Sequence, residues 1–450
     1  MYGFLKKVFT VSIRVFFKKI TIKGKYNIPS DGPLIIVSNH PNTLMDPIII
    51  ATLLRRRIGF IANASLFKNK MIARFFRYLH MIPIYRKIDV NPGEVVDNTR
   101  VFEKCHEYLA QNRVFLIFPE GSSYYELKLR PIKTGTARIA LSYEALKEFK
   151  GGLQILPITL DYSNAIQFRS VVSVEIQKPI AVNHYADMFL QDTEQSFRVL
   201  TEEIRLKLSK NIPLTTDKEA ERLLINAHLF YTTFCKTPSR WKGGTLKSLE
   251  YRKNISLVIA SLSQSKSKLH SNLKNDISLF FEMVAKEKLN LGFYRKSFHK
   301  LSLPFLLMNH GLLLVLLAPL NLYGLLFNFI PYQIPHRLFL SLKLDIEYKA
   351  AFQMIVGCLV FPMYYYMSIY LVYSYVEIGV MLQLLFVVSL PMSGFITLFY
   401  YKTLMKFLNL YRYHFYVSNA CKIKMNVLRH KIVHSMRSIE VKTTQGEGFV

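Results

Sequence analysis

An α/β domain with a central mixed sheet, followed by a helical annex and a C-terminal transmembrane helical region, is the fold class this sequence predicts. Three observations predict it. Short apolar runs alternate with helical stretches over residues 24–182. Amphipathic helices rich in Lys and Glu fill residues 183–302, and long uncharged apolar runs begin at Leu303. At 450 residues the chain has room for two or three such domains.

Composition narrows the surroundings. The formal charge is +29, 51% of residues are hydrophobic and 14% aromatic. Disorder is excluded, because it needs low hydrophobicity together with high net charge. Basic and apolar excess together fit an anionic phospholipid surface better than nucleic acid. No helix-turn-helix, zinc or RNA-binding signature accompanies the charge, so no nucleic-acid partner is expected. Cys105, Cys235, Cys358 and Cys421 lie far apart with no CxxC, which signals neither a disulfide scaffold nor a zinc site.

The elements follow in order. MYGFLKKVFTVSIRVFFKKI is not a secretory leader, since Lys6, Lys7, Arg14, Lys18 and Lys19 break any apolar core. Phe4, Val8, Val11 and Val15 recur at helical spacing, which predicts an amphipathic membrane-surface helix over 1–23. Its alternative is a helix packed on its own domain. PLIIVSN (33–39), RIGFIAN (57–63), VFLIF (114–118), LQILPITL (153–160) and VVSVEIQ (171–177) read as buried strands. PIIIATLLRRR, SLFKNKMIARFFRYLH, VVDNTRVFEKCHEYLAQN and TGTARIALSYEALKEF read as the helices between them.

Residues 303–330 carry no charge but are interrupted by Pro319 and Asn321, which predicts a re-entrant or interfacial hairpin. Over 350–401, the runs 350–376 and 378–401 are each long enough to span, as a pair of transmembrane helices. The basic tail, 402–450, then stays on the cytoplasmic side with the N-terminal domains, as the positive-inside tendency requires.

Four short blocks carry polar residues at strand ends. In SNHPNTLMDP, His40 follows an apolar strand, and an imidazole suits proton transfer from an alcohol near neutral pH. Asp46 is placed to orient it, although Asp46-Pro47 equally suits a helix start. MIPIYRK ends in Arg86, whose planar fork suits phosphate. In VFLIFPEG, Glu120 is followed by Gly121, which permits close backbone approach. In LRPIKTGTARIAL, Arg130 and Lys133 precede a helix N-terminus, a fit for an anion. Taken singly, each is equally a turn or a solvated charge.

The series NH…D, IPIYR, FPEG and LPITLDY resembles the four ordered blocks of the glycerolipid acyltransferase family, which includes glycerol-3-phosphate and 1-acylglycerol-3-phosphate acyltransferases. The resemblance covers residues 20–182. One departure is the spacing: five residues separate His40 from Asp46, where the common pattern has four. The branch with HPN-type sequences resembles this longer form, so the spacing reads as a variant of the block.

The resemblance implies catalysis by His40 as general base with Asp46 as its orienting partner. It implies acceptor binding by Arg86 and Glu120 with Gly121, and Lys133 as a second phosphate contact. Acyl-CoA or acyl-carrier protein is the implied co-substrate, with no cofactor or metal. Glycerol phosphate or lysophosphatidate is the implied acceptor. The implied protein is an integral membrane enzyme of phospholipid biosynthesis with its active site on the cytoplasmic face. The alternatives are an acyltransferase for a different lysolipid, or a lipid-binding or transport protein on the same fold.

Overall fold

The computed structural model describes residues 2–63, 70, 74, 81–84, 99–213, 215, 217–235, 252–257, 259–260, 268–291, 303–377 and 379–444. They form two compact units. One comprises Met1–Leu214 with Asp345–Ala351, the other Thr215–Leu344 with Phe352–Val450.

The first unit is built on one mixed sheet. Its strands are β1 (Lys19–Lys23), β2 (Leu34–Ser38), β3 (Ile58–Asn63), β4 (Met81–Ile84), β5 (Val114–Ile117), β6 (Gln154–Tyr162), β7 (Val171–Ile176) and β8 (Ile180–Ala181). The order is β1-β7-β6-β2-β5-β3-β4, with β8 on β6. β2 lies in the middle, parallel to both β5 and β6, while β7 and β8 run antiparallel to β6. Leu34, Ile35, Ile36 and Val37 are fully buried. A continuous apolar run is what a strand covered on both faces requires.

Helices cover the sheet: α1 (Tyr2–Phe16), α2 (Met45–Leu53), α3 (Thr99–Ala110), α4 (Gly135–Leu146), the short α5 (Ala186–Gln191) and α6 (Thr193–Ser209). On α6, Phe197, Leu200, Ile204 and Leu208 join the core formed by β2, β5, α3 and α4. The first unit therefore extends past the boundary at 182 that the sequence predicted, because this apolar stripe closes over the sheet. The N-terminal helix ends at Phe16, and residues 19–23 of the predicted 1–23 helix are strand β1. Ile13 and Phe16 are buried, whereas Phe4, Val11 and Val15 are exposed. The helix thus packs on its own domain by one face and leaves apolar side chains exposed on the other.

The second unit contains α7 (Lys218–Phe230), α8 (Lys268–Lys286), α9 (Leu303–Ser341), α10 (Lys349–Tyr375, whose first three residues belong to the first unit), α11 (Val380–Phe415) and α12 (Asn419–Thr444). Phe230, Ile277, Phe280, Leu410 and Ile432 share a core, joining α7, α8, the end of α11 and α12. The basic tail is therefore a helix packed on the annex.

Residues 303–341 form one helix, not the hairpin predicted for 303–330. Pro319, Pro331 and Pro335 lie inside it. Each proline removes one backbone donor and bends a helix, and an otherwise apolar helix survives such losses. Likewise the second predicted transmembrane run does not end at 401 but continues to Phe415. By length and composition three helices are able to cross a membrane: Pro304–Ser341, Ile346–Tyr375 and Val380–Phe415. A polar knot joins them. Asn328 Nδ2 donates to Leu390 O (3.2 Å) and Ser393 Oγ (3.0 Å), and Tyr365 OH donates to Asn328 Oδ1 (2.6 Å). Gly324 lets α9 and α11 meet there, since a Cβ on it would lie 2.6 Å from Ser393 O.

Candidate active site

Strand register builds the site. Val37 of β2 pairs with Ile117 of β5, so His40 and Glu120, three residues past each, emerge side by side. β6 is parallel to β2 with Ser38 beside Ile158, and its Tyr162 reaches the same edge. In sheets of this kind polar groups collect outside the carboxyl ends of the strands.

His40 Nδ1 lies 2.9 Å from Asp46 Oδ2. The five-residue spacing is absorbed in the turn before α2, where Thr43 takes a positive φ of 21°. Asp46 does not cap the helix; it sits in the first turn and folds its carboxylate back. That carboxylate is fully buried and accepts from three donors. Oδ2 also takes the backbone N–H of Asn42 (2.8 Å), and Oδ1 takes the Tyr162 hydroxyl (2.6 Å). Burial first, and the adjacent Asp46 charge second, push the Tyr162 hydroxyl well above its ordinary pKa, so it stays a donor. With Nδ1 engaged, Nε2 is the imidazole nitrogen left for a substrate hydroxyl. The ring stacks on Phe118, centroids 3.7 Å apart and planes 8° from parallel, which fixes its second rotation.

Glu120 is held by two backbone N–H groups. Its Oε1 accepts from His40 N (3.0 Å) and its Oε2 from Arg130 N (3.0 Å). One carboxylate thus clips the histidine turn to the segment entering α4. Burial pushes its pKa up, and the two backbone N–H groups oppose the rise. Gly121 has φ +76°, and a Cβ there would lie 2.7 Å from Lys133 Nζ. Glycine therefore leaves room for the Lys133 ammonium over the floor of the site. Arg130 is occupied: it pairs with Glu126 (2.8 Å) and stacks over Tyr124. Arg86 lies outside the described residues, directly beyond β4.

Sequence reasoning missed Tyr162, Phe118 and a brace on the histidine turn. Thr43 N donates to Ser123 Oγ (2.9 Å), and Thr43 Oγ1 donates to Glu347 O (2.7 Å). Glu347 lies in the Asp345–Ala351 segment of the first unit, between the ends of α9 and α10. Tyr162 was readable only as the last letter of the LPITLDY block.

Residues 19–161 match the protein family described as Acyltransferase. A glycerol-3-phosphate O-acyltransferase of Saccharomyces cerevisiae is 24% identical over 250 residues, covering 37% of this chain and 33% of that protein. A 1-acyl-sn-glycerol-3-phosphate acyltransferase of Chlamydomonas reinhardtii is 26% identical over 190 residues, covering 40% of this chain and 52% of that protein. The solved 1-acyl-sn-glycerophosphate acyltransferase PlsC of Thermotoga maritima overlaps 46% of this chain and 78% of its own, at 22% identity and a TM-score of 0.33. The chain spans about a third to a half of the length of the curated relatives it matches. A mixed sheet with a His–Asp pair at its strand ends, inside the matched segment, defines an acyltransferase domain. Over this segment the chain is similar to glycerol-3-phosphate and 1-acylglycerol-3-phosphate acyltransferases.

Proposed function

We propose that this protein is a membrane-bound O-acyltransferase that moves a fatty acyl group from an acyl thioester to a hydroxyl of a glycerol phosphate backbone. The observation that carries the reading is the buried Asp46 carboxylate holding His40 through Nδ1. Nε2 of His40 takes the acceptor hydroxyl proton as the oxygen attacks the thioester carbonyl. The tetrahedral intermediate collapses, the C–S bond breaks, and the thiolate takes the proton back from His40. No acyl-enzyme is formed. Lys133, over Gly121, holds the acceptor phosphate, with Arg86 as its partner in the same task. Acyl-CoA or acyl-carrier protein is the donor, and no metal or other cofactor takes part.

The active site faces the cytoplasm, where thioester donors are made. The Thr43–Glu347 bond supports placing the start of α10 on that same side. On this reading α10 and α11 cross as a pair, with residue 340 before them and residue 440 after them on the cytoplasmic side. Single cysteines at residues 340 and 440 should both be shielded from an impermeant reagent in intact cells; an outside position for either one removes this arrangement.

The decisive assay offers purified full-length protein glycerol 3-phosphate, 1-acylglycerol 3-phosphate and dihydroxyacetone phosphate, each with both donors. Transfer to one of the three is expected. Transfer only to another lysolipid selects the rival acyltransferase reading, and lipid binding without transfer selects the transport reading.

A further inference from the structure

A cavity of about 250 Å³ opens at the end of the sheet opposite His40, lined by Arg56, Arg57, Tyr108, Asn112, Arg113 and Val114. Its wall is the beginning of β3 and β5, where Ile58 pairs with Val114. Both catalytic-edge residues lie beyond the other ends of the strands. The two places are thus separate, and nothing in the acyl transfer uses this one.

Three guanidinium groups converge on the cavity, and no carboxylate lines it among the described residues. Arg56 donates through Nη2 to the carbonyls of Gly32 and Asn112, which fixes its plane. Its Nη1 is buried without a partner among the described residues. The carboxylate it feels is that of Asp31, outside the lining, and burial still pulls the Arg56 pKa down. Arg57 and Arg113 are exposed, each held over a tyrosine ring: Arg57 over Tyr2 at 5.6 Å, Arg113 over Tyr108 at 5.1 Å. Like charges gathered this closely repel, and an anion with several acceptor oxygens converts the repulsion into bonds. A planar fork matches the spacing of phosphate oxygens.

The surroundings add an apolar neighbour. Tyr2 begins α1, and its hydroxyl accepts from Ile58 N at the cavity (3.4 Å). From there α1 presents Phe4, Val11 and Val15 outward, with Lys7 and Arg14 also exposed.

We propose that Arg56, Arg57 and Arg113 form a second phosphate-binding site, distinct from the acceptor site. Its ligand is a phosphate group, and the exposed stripe of α1 fits the chains of an anionic phospholipid whose headgroup enters the cavity. The site does not depend on the reaction assigned above.

The test titrates detergent-solubilised full-length protein with short-chain phosphatidylglycerol, short-chain diacylglycerol and inorganic phosphate, followed by calorimetry. Phosphatidylglycerol should bind, and Arg57→Ala/Arg113→Ala should weaken it at least about tenfold, the scale of one lost charged hydrogen bond. His40→Ala and Lys133→Ala should leave that affinity unchanged. Inorganic phosphate binding with the same arginine dependence would keep the site and make free phosphate its ligand. Because Arg57 and Arg113 are exposed, the double variant should melt like the parent. Should it fail to fold, Arg57→Lys/Arg113→Lys keeps both charges, and a drop in affinity is still required. Equal affinity in parent and variants, equal binding of diacylglycerol, or loss of binding in Lys133→Ala overturns the proposal.

Discussion

The sheet of the first unit and the long helices of the second treat apolar side chains in opposite ways. Ile36 on β2 is 0% exposed, whereas Leu384 on α11 is 61% exposed and lies among similarly exposed Val380, Met381, Leu382 and Leu385. Such a continuous apolar surface is unstable in water and ordinary in lipid. The difference teaches that one region hides its apolar side chains within itself, while the other leaves them on helices long and apolar enough to cross a membrane. Sequence periodicity registers it too, since α9 to α11 are apolar all round while α6 has a single apolar stripe.

The sharpest way to break the comparison is to place the same charge in both regions. Ile36→Lys should abolish folding of the first unit, because an unpaired buried charge costs several kcal/mol against a total of about 5–15 kcal/mol. Leu384→Lys should leave that unit folded and active. It should cost about 2.5–3.5 kcal/mol of membrane insertion, read as release of the protein from the membrane fraction. Normal membrane recovery of Leu384→Lys would show that α11 does not face lipid.

Next in size is His40→Ala, expected to lower turnover by about 10² to 10⁴ with an unchanged melt. Tyr162→Phe is smaller. It removes one of three donors to Asp46, and a lost bond to a charged group is worth about 1.5–3 kcal/mol. Thermal stability should fall by part of that, and turnover by about tenfold, while acceptor KM holds. A normal rate in Tyr162→Phe would mean that the remaining donors fix Asp46 alone.

The smallest expected effect is one of pH. Glu120 has a raised pKa when folded, so the native state holds this proton more tightly than the unfolded chain does. Its contribution to stability is therefore present at low pH and declines as pH rises from the ordinary value near 4.5 through the raised one. Glu120→Gln should flatten that segment of the stability–pH curve, measured by melting across the window. An identical slope in parent and variant would place the carboxyl's titration elsewhere.

How far the sequence could be read follows from how local each signal is. The runs in β2, β5 and β6 are apolar over most of their length and readable alone. KITIK of β1 is five residues ending just before Gly24, and its partner is β7, so it was absorbed into the preceding helix. MIPI of β4 is four residues, too short to assert a strand by itself. His40 and Asp46 are six residues apart and legible as a pair. Tyr162 stands 116 residues from Asp46, and only the parallel register of β2 and β6 brings it there. Glu120 was found by position, but its two contacts were not, because its partners are backbone N–H groups that have no sequence signature. The prolines of α9 misled for a related reason: a breaker's effect depends on whether water competes for the backbone it frees.

The brace on the histidine turn sets an order in time. Thr43 and its partner Glu347 are 304 residues apart. At the usual pace of synthesis, the turn waits on the order of 15 to 60 s for that bond after Thr43 is made. Tyr162 arrives much earlier, so the Asp46 carboxylate has all three donors while the C-terminal helices are still unmade. A growing chain therefore holds a formed His–Asp pair on a turn braced by Ser123 alone, and the second bond closes only once α9 has been made.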